Sequence, residues 1–265
     1  MKKVLTIAGS DSSGGAGIQA DLKTFQEFGV YGMSSLTVIV AMNPHDNWNH
    51  QVFPIGLDTV RAQIETVIAG IGVDALKTGM LPTPEIMELV AHTIKMHNLK
   101  NIVIDPVMVC KGTGEPVNPE SAECYLKTLI PLSSVVTPNI FEASALSGVH
   151  IESIADMKEA AKIIRQSCPG FVVIKGGKGV RDAGAVDVLY DGKTFDVLES
   201  EKINTTHTHG AGCTFSAAIT AKLAGGADVR DAVIEAKRFV TEGIRRSFEL
   251  NQFVGALDLR LSNKA

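Results

Sequence analysis

The residues best able to do chemistry lie in short groups, most of which follow an apolar run. The richest group is Thr208-His209-Gly210-Ala211-Gly212-Cys213-Thr214-Phe215-Ser216. Two glycines let the backbone turn sharply before a helix begins, and the free N–H groups of its first turn then point at one spot. With the helix dipole, that spot favours a developing negative charge. Cys213 stands in this first turn, where a thiolate is expected to be stabilised. The same residues also describe an ordinary glycine-rich helix start carrying a small buried cysteine.

Four further groups share this character. Gly9-Ser10-Asp11-Ser12-Ser13-Gly14-Gly15-Ala16-Gly17 follows an apolar run and opens a helix, which suits a binding loop for a polar ligand or a plain tight turn. Its Gly15-x-Gly17-x-x-Ala20 imitates a dinucleotide fingerprint, but the next strand ends Val40-Ala41-Met42-Asn43, without the acid that fingerprint requires. Asp105-Pro106-Val107-Met108-Val109-Cys110-Lys111-Gly112-Thr113-Gly114 puts an acid at a strand end before a glycine-bearing loop, expected to be mobile and to carry Cys110. Asn139 and Glu142 are three apart after 135–137. An amide and a carboxylate suit Mg2+, and equally an N-cap with an acid in the first turn. Lys175-Gly176-Gly177-Lys178 ends another strand, where glycines permit close backbone approach and a lysine can meet phosphate or solvent. Walker-type spacing, G-x-S-x-G and H-E-x-x-H are absent.

Elements that alternate in type must position these groups. Val/Ile-rich runs at 4–8, 36–41, 75–78, 102–104, 135–137 and 171–175 are separated by helical windows at 17–28, 59–71, 84–96, 120–128 and 157–166. Almost wholly apolar strands separated by helices predict a parallel sheet covered on both faces. Four of the groups therefore fall on one edge of that sheet. Residues 185–190 and 194–198, joined at Asp191-Gly192, read as a hairpin. Helices at about 211–224 and 229–248 follow, then a mixed tail, while 47–53 reads as a small extended excursion. Without a linker or repeat, residues 1–265 read as one domain.

Composition removes several classes. The 265 residues carry 25 Lys+Arg against 29 Asp+Glu, a net charge of −4, and only 5% are aromatic. A nucleic-acid partner would want a basic face and stacking aromatics. No apolar stretch approaches a membrane span of roughly 18 residues, and the apolar run after Lys2-Lys3 is too short for a signal peptide of about 7–15 apolar residues. The four cysteines, Cys110, Cys124, Cys168 and Cys213, form no C-x-x-C pair, so reduced thiols in the cytoplasm are expected.

Taken together, Gly9-Ser10-Asp11 with 14–21, Thr78-Gly79-Met80, 105–108, Asn139-x-x-Glu142, Lys175-Gly176-Gly177 and Gly210-x-Gly212-Cys213 resemble the ribokinase-like superfamily. Within it they are most similar to the hydroxymethylpyrimidine (phosphate) kinase and pyridoxal kinase branch, over nearly the whole chain. The resemblance implies an α/β, three-layer α/β/α ribokinase-like fold with a central, mostly parallel sheet of about eight strands, and a homodimer. It implies that Gly210, Ala211, Gly212 and Cys213 surround the transferring phosphoryl, with Cys213 as base. By the same resemblance Glu142, Asn139 and Asp105 organise Mg2+. Asn139, Lys175, Gly176, Gly177, Lys178, Gly179, Val180, Val188 and Lys237 surround ATP, and K+ is a further candidate cation. Ser10, Asp21, Met80 and Val107 line the ring pocket. Two positions depart from typical pyrimidine kinases: Ala211 replaces the usual Thr, and Cys110 stands where a small non-thiol residue is usual. The Cys110/Cys213 pair resembles the dual-cysteine pyridoxal kinases, in which a lid thiol adds to the substrate aldehyde. Pyridoxal and related B6 vitamers, and also hydroxymethylpyrimidine, are the expected substrates. The alternative is a hydroxymethylpyrimidine/hydroxymethylpyrimidine phosphate kinase of thiamine biosynthesis.

Overall fold

A computed structural model describes residues 1–108, 119–177, 179–180 and 184–260. Chain order runs β1 (Lys3–Asp11), α1 (Gly17–Glu27), β2 (Tyr31–Asn43), β3 (Asn49–Pro54), α2 (Leu57–Ile68), β4 (Ala75–Thr78), α3 (Pro84–Met96) and β5 (Ile102–Ile104). It continues with α4 (Pro119–Cys124), β6 (Val135–Val136), α5 (Ile140–Ser147), α6 (Ile154–Arg165), β7 (Phe171–Gly177), β8 (Ala185–Tyr190) and β9 (Phe195–Ser200). Two long helices, α7 (Ala211–Ala224) and α8 (Val229–Arg245), precede the hairpin β10 (Phe248–Asn251) and β11 (Val254–Ala256).

Among the described residues the main sheet has nine strands in the order β3-β2-β1-β4-β5-β6-β7-β8-β9. Strands β2, β1, β4, β5, β6 and β7 are parallel neighbours, and antiparallel pairings add β3 at one edge and β8–β9 at the other. The alternation of side chains along each strand divides the core. Leu5, Ile7, Leu76, Ile102, Ile104, Val136, Val172 and Ile174 pack with α2, α3, α5 and α6, while Val103, Val135 and Val173 meet α7 and α8 and Val4 and Ala75 meet α1 and α7. That is the expected three-layer α/β/α arrangement, with one strand more than the expected eight or so.

The expected elements differ from the structure mainly where pairing supplies order that the local sequence lacks. Strand β2 starts at Tyr31, not at 36, because Tyr31 to Ser35 pair with Lys3 to Ile7 of β1 although Gly32, Ser34 and Ser35 carry little apolar signal. The window 120–128 splits: α4 gives way to a π-helical turn (Tyr125–Leu129) and a short 3-10 turn (Ile130–Leu132). Helix α8 stops at Arg245, and the tail forms the β10–β11 hairpin. Among the described residues no helix is long and apolar enough to cross a membrane.

Candidate active site

The carboxyl ends of the parallel strands and the start of α7 enclose one cavity of about 780 Å³. Its walls bring together all five groups singled out from the sequence: Ser10 and Asp11 after β1, Asp105 and Val107 after β5, Asn139 and Glu142 at α5, Lys175 to Gly177 of β7, and Gly210 to Cys213. Parallel pairing aligns the strand ends, so groups far apart in the chain converge.

At the start of α7, Gly210 holds the N-cap with φ of 81°, and no side chain caps the helix. Only glycine fits there: the left-handed conformation disfavours a side chain, and a Cβ would collide with the Gly15 carbonyl oxygen. Thr214 N–H is bonded to Gly210 O at 2.9 Å, whereas the amides of Gly212 and Cys213 precede the first full turn and have no intrahelical acceptor. Lys175 reaches the same spot, its Nζ lying 3.4 Å from where a Gly212 Cβ would be. A helix N-terminus with a lysine over it is an anion site.

Two buried ion pairs flank this point. Lys175 Nζ lies 2.7 Å from Asp105 Oδ1, and Asp105 also accepts from Thr137 Oγ1 and Ser216 Oγ, both at 3.1 Å. Lys77 Nζ lies 2.9 and 3.0 Å from the two oxygens of Asp21. Burial opposes both ammonium groups, but the neighbouring negative charges, Asp105 and Glu142 for Lys175 and Asp21 first for Lys77, raise both above the ordinary lysine value. Burial pushes the Cys213 thiol up to about 11, and the charges of Asp21 and Asp105 add to this, against Lys77 and a hydrogen bond from the Gly17 N–H. The expected thiolate is therefore corrected: in this cavity desolvation outweighs the helix N-terminus.

Several expected residues fall elsewhere. Asp21 is fully buried and does not line the cavity; it accepts from Thr6 Oγ1 at 2.6 Å and holds Lys77. Val180 and Val188 are not at the cavity wall either, because both belong to the apolar core between the sheet and the α2–α6 layer. Lys237 does line the cavity, yet its Nζ is committed to Asp187 Oδ2 at 2.9 Å and Ala185 O at 2.7 Å. Asp187 in turn accepts from Gly176 N–H at 3.0 Å, so Lys237 acts on the glycine turn through Asp187. Ser10, Met80, Val107, Gly176, Gly177 and Gly179 line the cavity as expected. Cys110 and Lys178 lie outside the described residues.

The metal expectation narrows to Glu142. Asn139 Oδ1 accepts from Glu142 N–H at 2.9 Å, and Glu142 Oε2 accepts from Asn139 N–H at 2.8 Å, a reciprocal capping box. Asp105 directs its oxygens at Lys175, Thr137 and Ser216. Among the described residues no three His, Cys, Asp or Glu side chains could cage a metal. Glu142 is 5% exposed and raised to about 7, chiefly by burial and then by Asp105 against Lys175. A carboxylate held in that state at a cavity wall fits a hard cation that keeps its waters and takes its other oxygens from substrate phosphates.

Residues without a role assigned from sequence also meet here. His209 Nε2 lies 2.7 Å from Asp11 Oδ2, and the ring packs over Gly15, where a Cβ would come within 2.6 Å of Cδ2. This contact registers the loop before α1 against the start of α7. His50 of β3 lines the same cavity. Lys77 did carry a signal: it is a lysine inside the buried strand Ala75–Thr78, and a buried charge demands a partner.

The geometry agrees with known proteins. The family model for phosphomethylpyrimidine kinase matches residues 11–258. A pyridoxine kinase of Bacillus subtilis is 63% identical over 96% of this chain and 94% of its own. A hydroxymethylpyrimidine/phosphomethylpyrimidine kinase of the same organism is 43% identical over 92% of this chain and 90% of its own. The crystal structure of an ADP complex of Bacillus subtilis pyridoxal kinase superposes with a TM-score of 0.94 at 62% identity, covering 97% of both chains. Staphylococcus aureus pyridoxal kinase in complex with AMP-PCP and pyridoxal gives 0.93 at 48% identity, over 100% of this chain and 95% of that one. With the layered fold in agreement, this chain belongs to the phosphomethylpyrimidine kinase family of the ribokinase-like superfamily.

Proposed function

We propose that residues 1–265 form one kinase domain that transfers the γ-phosphoryl of ATP to the hydroxymethyl group of pyridoxal and related B6 vitamers, and also of hydroxymethylpyrimidine. The observation that carries this reading is the uncapped start of α7, with Cys213 and Lys175 beside it, opening into a cavity of about 780 Å³. That volume lies within the usual range for a small-molecule site, roughly 300–1,000 Å³. The relatives named as pyridoxine and pyridoxal kinases support the substrate class.

Phosphoryl transfer needs positioning and charge neutralisation more than covalent help. The amides of Gly210, Gly212 and Cys213 surround the moving phosphoryl, whereas the expected Ala211 N–H is held by Thr208 O at 3.2 Å, and Lys175 adds positive charge. Cys213 accepts the alcohol proton as the oxygen attacks. Asn139, Gly176, Gly177 and Gly179, with Lys178 and with Lys237 acting through Asp187, border the nucleotide; Ser10, Met80 and Val107 border the ring. Glu142 would hold Mg2+ through water, and the ion would neutralise charge on the phosphates. A second copy of the chain is the expected partner, supported by Ile39, Val52 and Phe53, exposed on the β2–β3 edge, and light scattering of the purified protein tests it. The cytoplasm is the proposed compartment.

Cys110 decides between B6 vitamers and the thiamine-pathway reading. Its thiol can add across the aldehyde of pyridoxal: a C–S bond forms and the thiol proton passes to the carbonyl oxygen, giving a reversible hemithioacetal. Pyridoxine and hydroxymethylpyrimidine have no aldehyde. Steady-state kcat/KM for the three substrates, with ATP and Mg2+, tests the assignment. Cys110→Ala should impair pyridoxal phosphorylation far more than the other two. If pyridoxal turnover is untouched, hydroxymethylpyrimidine phosphate becomes the leading substrate, as the family model's description favours.

A further inference from the structure

All four side chains of β4 are buried, and Lys77 among them is 0% exposed. An unpaired ammonium at such a depth would lose its proton. Asp21 of α1 prevents this by placing both carboxylate oxygens within 3.0 Å of Nζ, and Thr6 Oγ1 fixes Asp21 in turn at 2.6 Å. Lys77 nevertheless contributes to the cavity wall, as does Cys213. Its Nζ sits 3.6 Å from where a Gly79 Cβ would lie, next to the ring-facing end of the cavity. Phosphate charge is already met by Lys175 at the start of α7, so the phosphoryl-transfer steps leave Lys77 without a task.

The surroundings of Cys213 supply one. Lys77 shares with Ala75 the side of β4 that clusters with Ala217, one turn into α7 from Cys213, and the charges of Asp21, Lys77 and Asp105 all act on the thiol. The Gly17 N–H donates to its sulfur. With the charges of two carboxylates acting on it, a thiol cannot serve as base unless a cation offsets them. We propose that Lys77, fixed by Asp21, is a positioning residue for Cys213, its ammonium standing as the counter-cation of the thiolate that takes the substrate proton. The inference rests on the reading of Cys213 as base. In the cycle, the Cys213 S–H first gives its proton to water in the cavity. The substrate oxygen then attacks phosphorus and its O–H bond breaks. The proton forms a new S–H bond, and ADP departs with the electron pair of the broken P–O bond. Lys77 keeps its proton throughout.

The test measures iodoacetamide alkylation of Cys213 by peptide mass spectrometry across a pH series, beside the pH profile of kcat/KM for pyridoxal. Lys77→Met should raise the alkylation midpoint by at least ~1 pH unit, the low end of what an adjacent charge does. It should shift the acid limb of kcat/KM the same way and lower kcat near pH 7 at least about tenfold, with the KM for ATP within about twofold. Asp21→Asn, isosteric and still able to accept from Thr6, leaves the Cys213 thiolate to pair with Lys77 in place of the carboxylate, and should move midpoint and limb to lower pH. It carries the test by itself if Lys77→Met does not fold. Reduced activity with an unmoved Cys213 midpoint in a folded variant overturns the proposal and leaves the pair a packing device. A midpoint that moves while the kcat/KM limb stays put keeps Lys77 as the partner of Cys213 and removes Cys213 as the base.

Discussion

Two helices of this chain begin with glycine-rich loops and end in opposite chemical states. Before α1, Asp11 turns its carboxylate inward and accepts from the N–H groups of Ser13 and Ala16, each at 2.8 Å, and pairs with His209 at 2.7 Å. The Gly17 N–H is directed at the Cys213 sulfur. The donors of that helix start are answered by the protein itself. Before α7, Gly210 brings no side chain, and a lysine rather than a carboxylate stands nearest. A glycine-rich helix start thus becomes an anion site only where the chain withholds its own acceptor. The start of α5 makes the point a third time, since its Asn139–Glu142 box answers its own donors and leaves a carboxylate, not an anion hole, at the wall.

The contrast is broken most severely at Cys213. Cys213→Ala should lower kcat by about 10²–10⁴-fold, the usual reach of a general base, with ATP affinity by calorimetry little changed. A kcat within twofold of wild type would remove the assignment.

Next comes the backbone that frees the α7 amides. Gly210→Ala forces a side chain into the left-handed region and against the Gly15 carbonyl. It should destabilise the protein by at least about 2 kcal/mol, read as a Tm loss of roughly 5 °C or more. Gly212→Ala meets only the Lys175 ammonium, at 3.4 Å, so its Tm should stay near wild type while kcat falls. Equal Tm losses for the two variants would contradict the geometry.

The self-satisfied helix start predicts a pH signature instead. His209 and Ser13 hold the Asp11 carboxyl down at about 2, against its burial, from an ordinary 3.8. A depressed folded value means stability that is present above pH 3.8 and lost as pH falls through about 2. Asp11→Asn should therefore cost about 1–2 kcal/mol near neutral pH, with the gap to wild type closing toward pH 2 in thermal melts. A gap independent of pH would mean that Asp11 acts through shape alone.

The smallest effect belongs to α5. Glu142 is raised to about 7, mainly by burial, so its ionisation costs the folded state stability as pH rises from 4.5 through that value. Gln can still close a capping box. Metal-free Glu142→Gln should therefore melt no lower than wild type at pH 8, while its activity needs more Mg2+ for half-saturation. An unchanged Mg2+ titration would end the metal role.

The layers and most of the site could be read from the chain because period and punctuation are local. Apolar runs ending in Gly9-Ser10-Asp11, Asp105-Pro106 or Lys175-Gly176 mark strand ends, and strand ends of a parallel sheet share an edge. Helix α3 is bounded by a Thr83 cap that bonds Ile86 N–H and by Pro84, and its expected limits are those observed. Helix α5 shows only its start in the sequence, because eight residues rich in Ala and Ser leave little amphipathic trace. The first residues of β2 carry no strand signal of their own, because partners on β1, not their composition, make them a strand.

By itself, then, the sequence determined the alternation of strands and helices, the side of the sheet where the active groups gather, and the glycine-rich starts of α1 and α7 between which the structure chose. Only the tertiary structure decided charge and depth. It buried Asp21 beneath the cavity instead of in its wall, set Lys77 against it, turned Lys237 toward Asp187, and pushed the Cys213 thiol up to about 11. Periodicity reports which face of an element is apolar. Desolvation and pairing depend on which elements pack above that face, and no run of neighbouring residues records that.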